Sequence, residues 1–483
     1  MSTLPQLAAN DNQDEHTSAL LDARNALRRL ANLKVGNSVP FAEREVALLN
    51  AANEACRVEM QAELQSCADA QADTLLVNGV PYERHQDGSA QYHSLCGTIP
   101  ISRATYRKIG ERNGPTVVPL DLAVGIIEGA TPALAYRVAL GYAQGPGRRV
   151  EEQIQADHRE PPSRSTMERM AKAMGTHAKT SAPSIELLLR QEEKLPEDAH
   201  AVSVGLDRTS VPMEEPRLLD APPPTRRKKR TKPYVRQAPA PVDVKYRMAY
   251  VGTVSVVDKD GESLITRRYA ASAAEGPAQV VERMMADIRR AREQNSAMPI
   301  GIMQDAAPEV WTLVRNGLKN QAGIEQWHEG VDRYHLSERL GEILHIVERD
   351  ESKRRHKLAQ WTRELDTDDA TVDRIAQWLS DRIAEHKGDN CEKLEAHWTF
   401  LFNNNDRMRY VKLREAGLPC GSGATEGACK SVVMIRAKGC GQRWHQEGVD
   451  AALTLRAVYM SERLPTLWRH FAREYVAELE AAA

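Results

Sequence analysis

The stretch PIGIMQDAAPEVWTLVRNGLKNQAGIEQWHEGVD, residues 299–332, decides the fold. PIGIMQD (299–305) is a short apolar run that ends in Asp305. PEVWTLVRNGLKN (308–320) follows with Pro308 in the first turn of a helix, where its missing N–H leaves nothing unpaired. GIEQWHEGVD (323–332) is a further strand candidate, and it also ends in an Asp. A strand, a helix and a strand in that order belong to an alternating α/β arrangement.

Working upstream, EGPAQVVERMMADIRRAREQ (275–294) is an amphipathic helix with Val281, Met284, Met285 and Ile288 on one side. Before it come three strand patterns: HAVSVGLD (200–207), VKYRMAYVGTVSVVD (244–258) and SLITRRYAA (263–271), the last two joined by an Asp260-Gly261 turn. The order is β-β-β-α-β-α-β, a meander followed by alternating helices and parallel strands. This predicts an α/β fold with a ribonuclease H-like core and a mixed sheet. In such domains functional residues gather at strand ends.

The rest of the chain divides around this core. Residues 1–72 read as helical, with Pro40 between two helices, and residues 73–130 as a small β-hairpin or sheet region. Residues 131–198 carry two short helices, a Pro-Pro turn and a third helix opened by Ser165-Thr-Met-Glu168 in capping-box form. That is compatible with a helix-turn-helix and equally with an ordinary helical bundle. The core's first part is 199–335, interrupted at 221–241 by a proline-rich basic loop. A helical insertion is expected over 336–415, and a C-terminal helical part of the core over 416–483, beginning after CGSGATEG.

The chain has 483 residues, 65 Lys plus Arg against 67 Asp plus Glu, and a net charge of −2. A uniformly basic nucleic-acid binder is excluded, but segregated charge is not. Arg226, Arg227, Lys228, Lys229 and Arg230, with Lys232 and Arg236, give +7 without one acid. From residue 403 to 443, eight Lys or Arg face three Asp or Glu. The alternatives are an idle solubilising loop and a solvated helix face. No run reaches the roughly 20 apolar residues of a membrane span, and the N-terminus lacks a signal-peptide pattern. Seven cysteines, an odd number, point to reduced thiols and a cytoplasmic location. Cys420, Cys429 and Cys440 lie near His445, but they lack a close Cys pair of zinc-site form and read equally as small buried thiols.

Three Asp residues at predicted strand ends (Asp207, Asp305, Asp332) and Glu426 on a glycine-rich turn stand out. Singly, each Asp is explained by a turn or a helix cap. In a ribonuclease H-like sheet the first and fourth strands are neighbours, so Asp207 and Asp305 would converge and Glu426 from a later helix could close the set. Clustered carboxylates need cations, and oxygen ligands suit two Mg²⁺, or Mn²⁺, clamping a phosphodiester.

The ending CGSGATEGACKSVVMIRAKGCGQRWHQEGVDAALTLRAVY (420–459), the Asp332-Arg-Tyr-His335 element, VSVGLDRTSVPM, IMQDAAPEVW and the N-terminal LCGTIPISRATYR resemble bacterial insertion-sequence transposases of the ISKra type, relatives of Mutator-like transposases. The similarity runs from about residue 75 to 470. It implies a DDE triad of Asp207, Asp305 and Glu426 that binds the metal, with Asp332 and His335 as auxiliary residues or, for Asp332, a helix cap. Asp207–Asp332–Glu426 is the alternative triad. The second motif departs from the family: Asp305 is followed by Ala306 where Gly is usual. The resemblance further implies DNA partners (terminal inverted repeats and target), a homo-oligomeric synaptic complex, and backbone contacts from Lys430, Arg436, Lys438 and Arg443 beside the basic loop. A structure-specific nuclease without strand transfer, and a domesticated DNA-binding regulator, are the competing functions.

Overall fold

The computed structural model describes residues 21, 22, 24–33, 39–216, 242–477 and 479–481. The chain forms two compact units, one of Met1–Met174 with Trp468–Ala483 and the other of Gly175–Leu467. The architecture is mixed α/β with one five-stranded sheet in each unit. Among the described residues, no helix is long and apolar enough to cross a membrane.

In the first unit, Pro40 precedes a long helix, Phe41–Asp69. Strands β1 (Thr74–Val77), β2 (Val80–Ser94), β3 (Gly97–Lys108) and β4 (Thr116–Val117) form an antiparallel meander. The Asn78-Gly79 pair, both at positive φ, makes the first turn, as the sequence pattern required. Leu64 and Ala68 of the helix bury against Tyr92, Ile99 and Ile101 of the hairpin. Helices Pro132–Gln144, Gly147–Ala156 and Arg164–Thr180 follow. The cap of the third is Ser163, not the predicted Ser165: its hydroxyl accepts the Thr166 N–H at 3.2 Å. The chain's last residues return to this unit, where Leu479–Ala481 pair antiparallel with β1. The helical C-terminal part expected over 416–483 therefore stops contributing to the other unit at residue 467.

In the second unit, β5 (Ala201–Pro216), β6 (Val242–Val257), β7 (Ser263–Ala271), β8 (Ile300–Gln304) and β9 (His328–Val331) lie in the order β7-β6-β5-β8-β9. β6 runs antiparallel to β5 and β7, whereas β5, β8 and β9 are mutually parallel. Helices Pro277–Gln294 and Pro308–Lys319 join β7 to β8 and β8 to β9. Their Val280, Met284, Ile288, Trp311 and Val314 pack with Val202, Val204, Leu206 and Ile302. The sheet's other face carries Val211, Met213, Ala249 and Val251 against Cys429, Val432, Val449 and Leu453. With both faces covered, Ala201–Leu206 are all buried, which is why this run carries no charged residue.

Two expectations change here. β5 does not stop at Asp207; it continues for nine more residues as a ribbon with β6, pairing Asp207 with Val251 and Pro216 with Val242. Only its parallel pairing with β8 ends early. Glu426 sits within a helix, Gly423–Ala428, not on a turn, and a π-helical turn, Cys429–Met434, extends it. The helical insertion expected over 336–415 is helical, in five α-helices from Arg333–Val347 to Tyr410–Glu415 with a 3-10 turn at Asn405–Arg407.

Candidate active site

The parallel pairs Val202↔Ile300, Ser203↔Gly301 and Val204↔Ile302 set a register that, continued by three residues, places Asp207 opposite Asp305. The pairs Gly301↔His328 to Gln304↔Val331, continued by one, place Asp305 opposite Asp332. The three Asp therefore occupy corresponding register positions, one row, just past the last parallel pairs of β5, β8 and β9. Where the pairing ends, Gln304 bridges the strands, its Oε1 accepting the Leu206 N–H at 3.2 Å.

The face of β5 that carries Asp207 is met residue by residue by the C-terminal segment. A Cβ on Gly205 would lie 2.1 Å from Thr425 Oγ1 and 2.6 Å from the Met303 carbonyl oxygen, so only glycine admits the helix bearing Glu426. Thr425 is pinned from β6 by a buried hydroxyl pair with Thr253 at 2.7 Å. Two residues along β5, the buried Cys429 thiol lies beside the Asp207 carboxylate. Burial, with Asp207 beside it, pushes this thiol well above its ordinary range and keeps it neutral. Two residues further, Lys438 Nζ donates to Thr209 Oγ1 at 2.6 Å. Asp207 Oδ1 also accepts the Arg208 N–H at 2.6 Å.

Asp305 closes an Asx turn into the next helix: its Oδ1 accepts the Ala307 N–H at 3.1 Å and its carbonyl accepts Trp311 Nε1 at 2.6 Å. Asp332 is buried and fully committed. Oδ1 caps the Arg333–Val347 helix by accepting the N–H groups of Tyr334 (2.7 Å) and His335 (3.2 Å), and Oδ2 accepts the Ser422 N–H and hydroxyl. The Ser422 hydroxyl lies 2.8 Å from Asp332 and 3.0 Å from Glu426 Oε1, so one proton is shared between two carboxylates. Asp332 thus acts as a cap that positions the 420–422 turn, the structural alternative foreseen for it.

Glu426 is held from two sides. His335 Nε2 lies 3.2 Å from its Oε1, and His335 Nδ1 lies 3.1 Å from Glu338 Oε2. Burial opposes protonation of His335, but the hydrogen bond to Glu338 and the charges of Asp332 and Glu426 outweigh it and hold the imidazole above its ordinary value. Lys430 Nζ stands 4.0 Å from Glu426 Oε2.

The structure therefore joins Glu426, His335 and Asp332 directly, and aligns Asp207 and Asp305 by register. The donors are right in kind for a hard divalent cation, which prefers oxygen. Among the described residues, no three His, Cys, Asp or Glu side chains come together as a metal-holding group. This includes Cys420, Cys429 and Cys440, all free thiols at different depths.

Of the expected DNA contacts, Lys430 and Arg443 are exposed and Lys438 half-buried. Arg436 is corrected: it is 3% exposed, its guanidinium over the Trp444 ring at 4.9 Å, so it supports the core instead of facing a ligand. Trp444 is a core anchor whose indole N–H donates to the Ala437 carbonyl at 3.0 Å. Arg226, Arg227, Lys228, Lys229 and Arg230 lie outside the described residues. Gly205, Thr425 and Ser422 were missed from the sequence; a glycine inside an apolar strand run was the available signal for the first.

In comparisons with known proteins, the chain matches no family model and no curated protein.

Proposed function

We propose that the protein is a DDE transposase of the ISKra type, with a ribonuclease H-like catalytic core in the Gly175–Leu467 unit. The observation that carries this is the single row of Asp207, Asp305 and Asp332, at the carboxyl end of the parallel β8–β9 pairing, with Glu426 delivered beside it by a helix that Gly205 admits. The strand order β7-β6-β5-β8-β9, with only β6 reversed, supports the same core, since it places the first and fourth strands side by side.

In this function Asp207, Asp305 and Glu426 are the catalytic carboxylates, and Mg²⁺ or Mn²⁺, as two ions, is the cofactor. When bound, such ions neutralise the carboxylates and stabilise the oxygens of a phosphodiester under attack. The remaining work belongs to the chain. Asp332 fixes the 420–422 turn, Ser422 and His335 orient Glu426, and neutral Cys429 steadies Asp207 without adding charge. Lys430, Lys438 and Arg443, with the basic segment 226–236, hold the DNA backbone. The helices of residues 132–180 read the terminal repeats, and the protein works on DNA as a homo-oligomer in the cytoplasm.

The test is incubation with DNA that carries the sequence flanking its own gene, in Mg²⁺ and then in EDTA. Metal-dependent cleavage at defined ends, followed by joining of the 3′-OH to a second duplex, is expected. Cleavage without joining would make it a nuclease, and end binding without cleavage a DNA-binding regulator.

A further inference from the structure

A second charged site lies at the other end of β9. His328 opens this strand and Asp332 follows it, so the two ends are separated by roughly 13 Å at about 3.3 Å per residue. Beside His328 is a cavity of about 480 Å³, within the range of small-ligand sites. Four of its lining residues are cationic (Arg315, Arg407, Arg409, Lys412) and two are acidic (Glu329, Asp406).

The pairing inside this cavity is short of negative charge. Glu329 is the one carboxylate in direct contact with two arginines, taking the Arg315 Nε at 2.6 Å and the Arg407 Nε at 3.3 Å, while Asp406 acts on Arg407 only through space. Arg409 is neutralised elsewhere, by Asp373 at 2.8 Å. Lys412 is exposed. Burial and the neighbouring Arg315 both disfavour the charge on Arg407, whose guanidinium is held over Trp311 at 4.8 Å. With Arg409 paired elsewhere, three cations face two carboxylates; an anion with several acceptor oxygens relieves the surplus, and guanidinium groups select phosphate. The volume exceeds what a lone phosphate fills, and half-buried Trp327 and the carboxamide of Asn403 also line it. An aromatic wall and an amide are the groups that stack and read a base.

We infer that this cavity binds one nucleotide unit, its phosphate between Arg407 and Lys412 and its base against Trp327. The site goes beyond the proposed DNA chemistry, because it lies away from the carboxylate row and requires no cleavage. The ligand is either a free nucleotide or one nucleotide of a single strand.

The test is calorimetric titration of the full chain, without metal, using deoxyadenosine monophosphate, inorganic phosphate and deoxyadenosine as separate probes. The monophosphate is expected to saturate one site, with phosphate and nucleoside each weaker by about tenfold or more. Lys412→Gln and Arg407→Gln should each weaken the monophosphate about tenfold. The exposed Lys412 keeps the test valid if the Arg407 variant unfolds, and an unchanged melting temperature of Lys412→Gln confirms its fold. Competition by a short single-stranded oligodeoxyadenylate assigns the site to a strand; no competition assigns it to a free nucleotide. No saturation by the monophosphate, equal affinity in Lys412→Gln, or inorganic phosphate binding as tightly as the monophosphate would each overturn the inference.

Discussion

The buried cluster around Asp287 and the carboxylate row around Asp207 lie in the same unit and follow opposite charge rules. Asp287 is buried, yet Arg190 Nε reaches its Oδ1 at 2.6 Å, Arg463 Nη2 reaches it at 3.2 Å, and the Tyr269 hydroxyl donates to Oδ2. Arg463 also grips Glu193 at 2.7 Å, and Arg190 grips Glu186 at 2.8 Å. Burial would raise the Asp287 carboxyl, but the two guanidiniums outweigh it and hold it below the usual carboxylate range. Asp207 and Asp305 instead accept backbone N–H groups, and among the described residues neither meets a Lys or Arg in an ion pair. Charges matched inside the fold hold it together. Carboxylates left half-exposed and without a cationic partner add little to stability and are free for the proposed chemistry.

The sharpest way to break this contrast is to neutralise each set. Asp207→Asn, Asp305→Asn and Glu426→Gln are each expected to lower metal-dependent DNA cleavage by about a thousandfold or more, measured under single-turnover conditions. The melting temperatures of Asp207→Asn and Asp305→Asn should stay level or rise, since neither carboxylate has a cationic partner, while Glu426→Gln should lose a little through its contact with His335. Asp287→Ala should do the reverse. Removing the carboxylate shared by Arg190 and Arg463, which keep only Glu186 and Glu193, costs about 3 kcal/mol, read from urea denaturation, while cleavage per folded molecule is retained.

Asp287 also sets a pH window. Its folded pKa lies below the unfolded value, so its contribution is present above about pH 3.9 and is lost as pH falls through the lower, folded value. The wild type should therefore lose more stability on acidification than Asp287→Asn does. Equal acid sensitivity of the two proteins would remove Asp287 from the account.

Gly205→Ala probes the join between strand and helix. The new methyl meets Thr425 and the Met303 carbonyl, so a cost of about 1–3 kcal/mol is expected, with cleavage falling further than stability because Glu426 moves. Adding Thr425→Ala should recover part of both, and a strictly additive double variant would show that the two residues do not touch. The smallest effect concerns His335. Its ring should titrate above about 6.5 by NMR and fall toward that value in Glu426→Gln. Its stabilising contribution is present below about pH 6.5 and fades as pH rises through the raised value, reduced by the ring's partial exposure.

Much of the second unit was legible in the sequence, because buried parallel strands and amphipathic helices leave distinct periodicities. The runs at 200–207 and 299–305, and the helices at 275–294 and 308–320, appear where the pattern put them. Asp207 was misread as a strand end because the ribbon beyond it, VPMEEP, mixes apolar and acidic residues that only pairing with β6 makes regular. The glycines around Glu426 suggested a turn, but close packing on Gly205 and Thr253 makes that segment a helix. Ser163 lost to Ser165 by one choice of register. The return of residues 468–483 to the first unit was invisible, since a three-residue strand carries no periodicity. The Asp287 cluster was equally hidden: Arg190, Tyr269, Asp287 and Arg463 are far apart in the chain and meet only in the fold.

The central claim is that Asp207, Asp305 and Glu426 act as one metal-dependent phosphoryl-transfer site. Its most direct test is cleavage of DNA bearing the gene's own flanking sequence, by wild type and Asp207→Asn side by side, in Mg²⁺ and in EDTA. Cutting at defined ends by the wild type is expected in Mg²⁺ alone, and none by Asp207→Asn despite undiminished DNA binding. Cutting that survives either EDTA or the Asp207 substitution would contradict it.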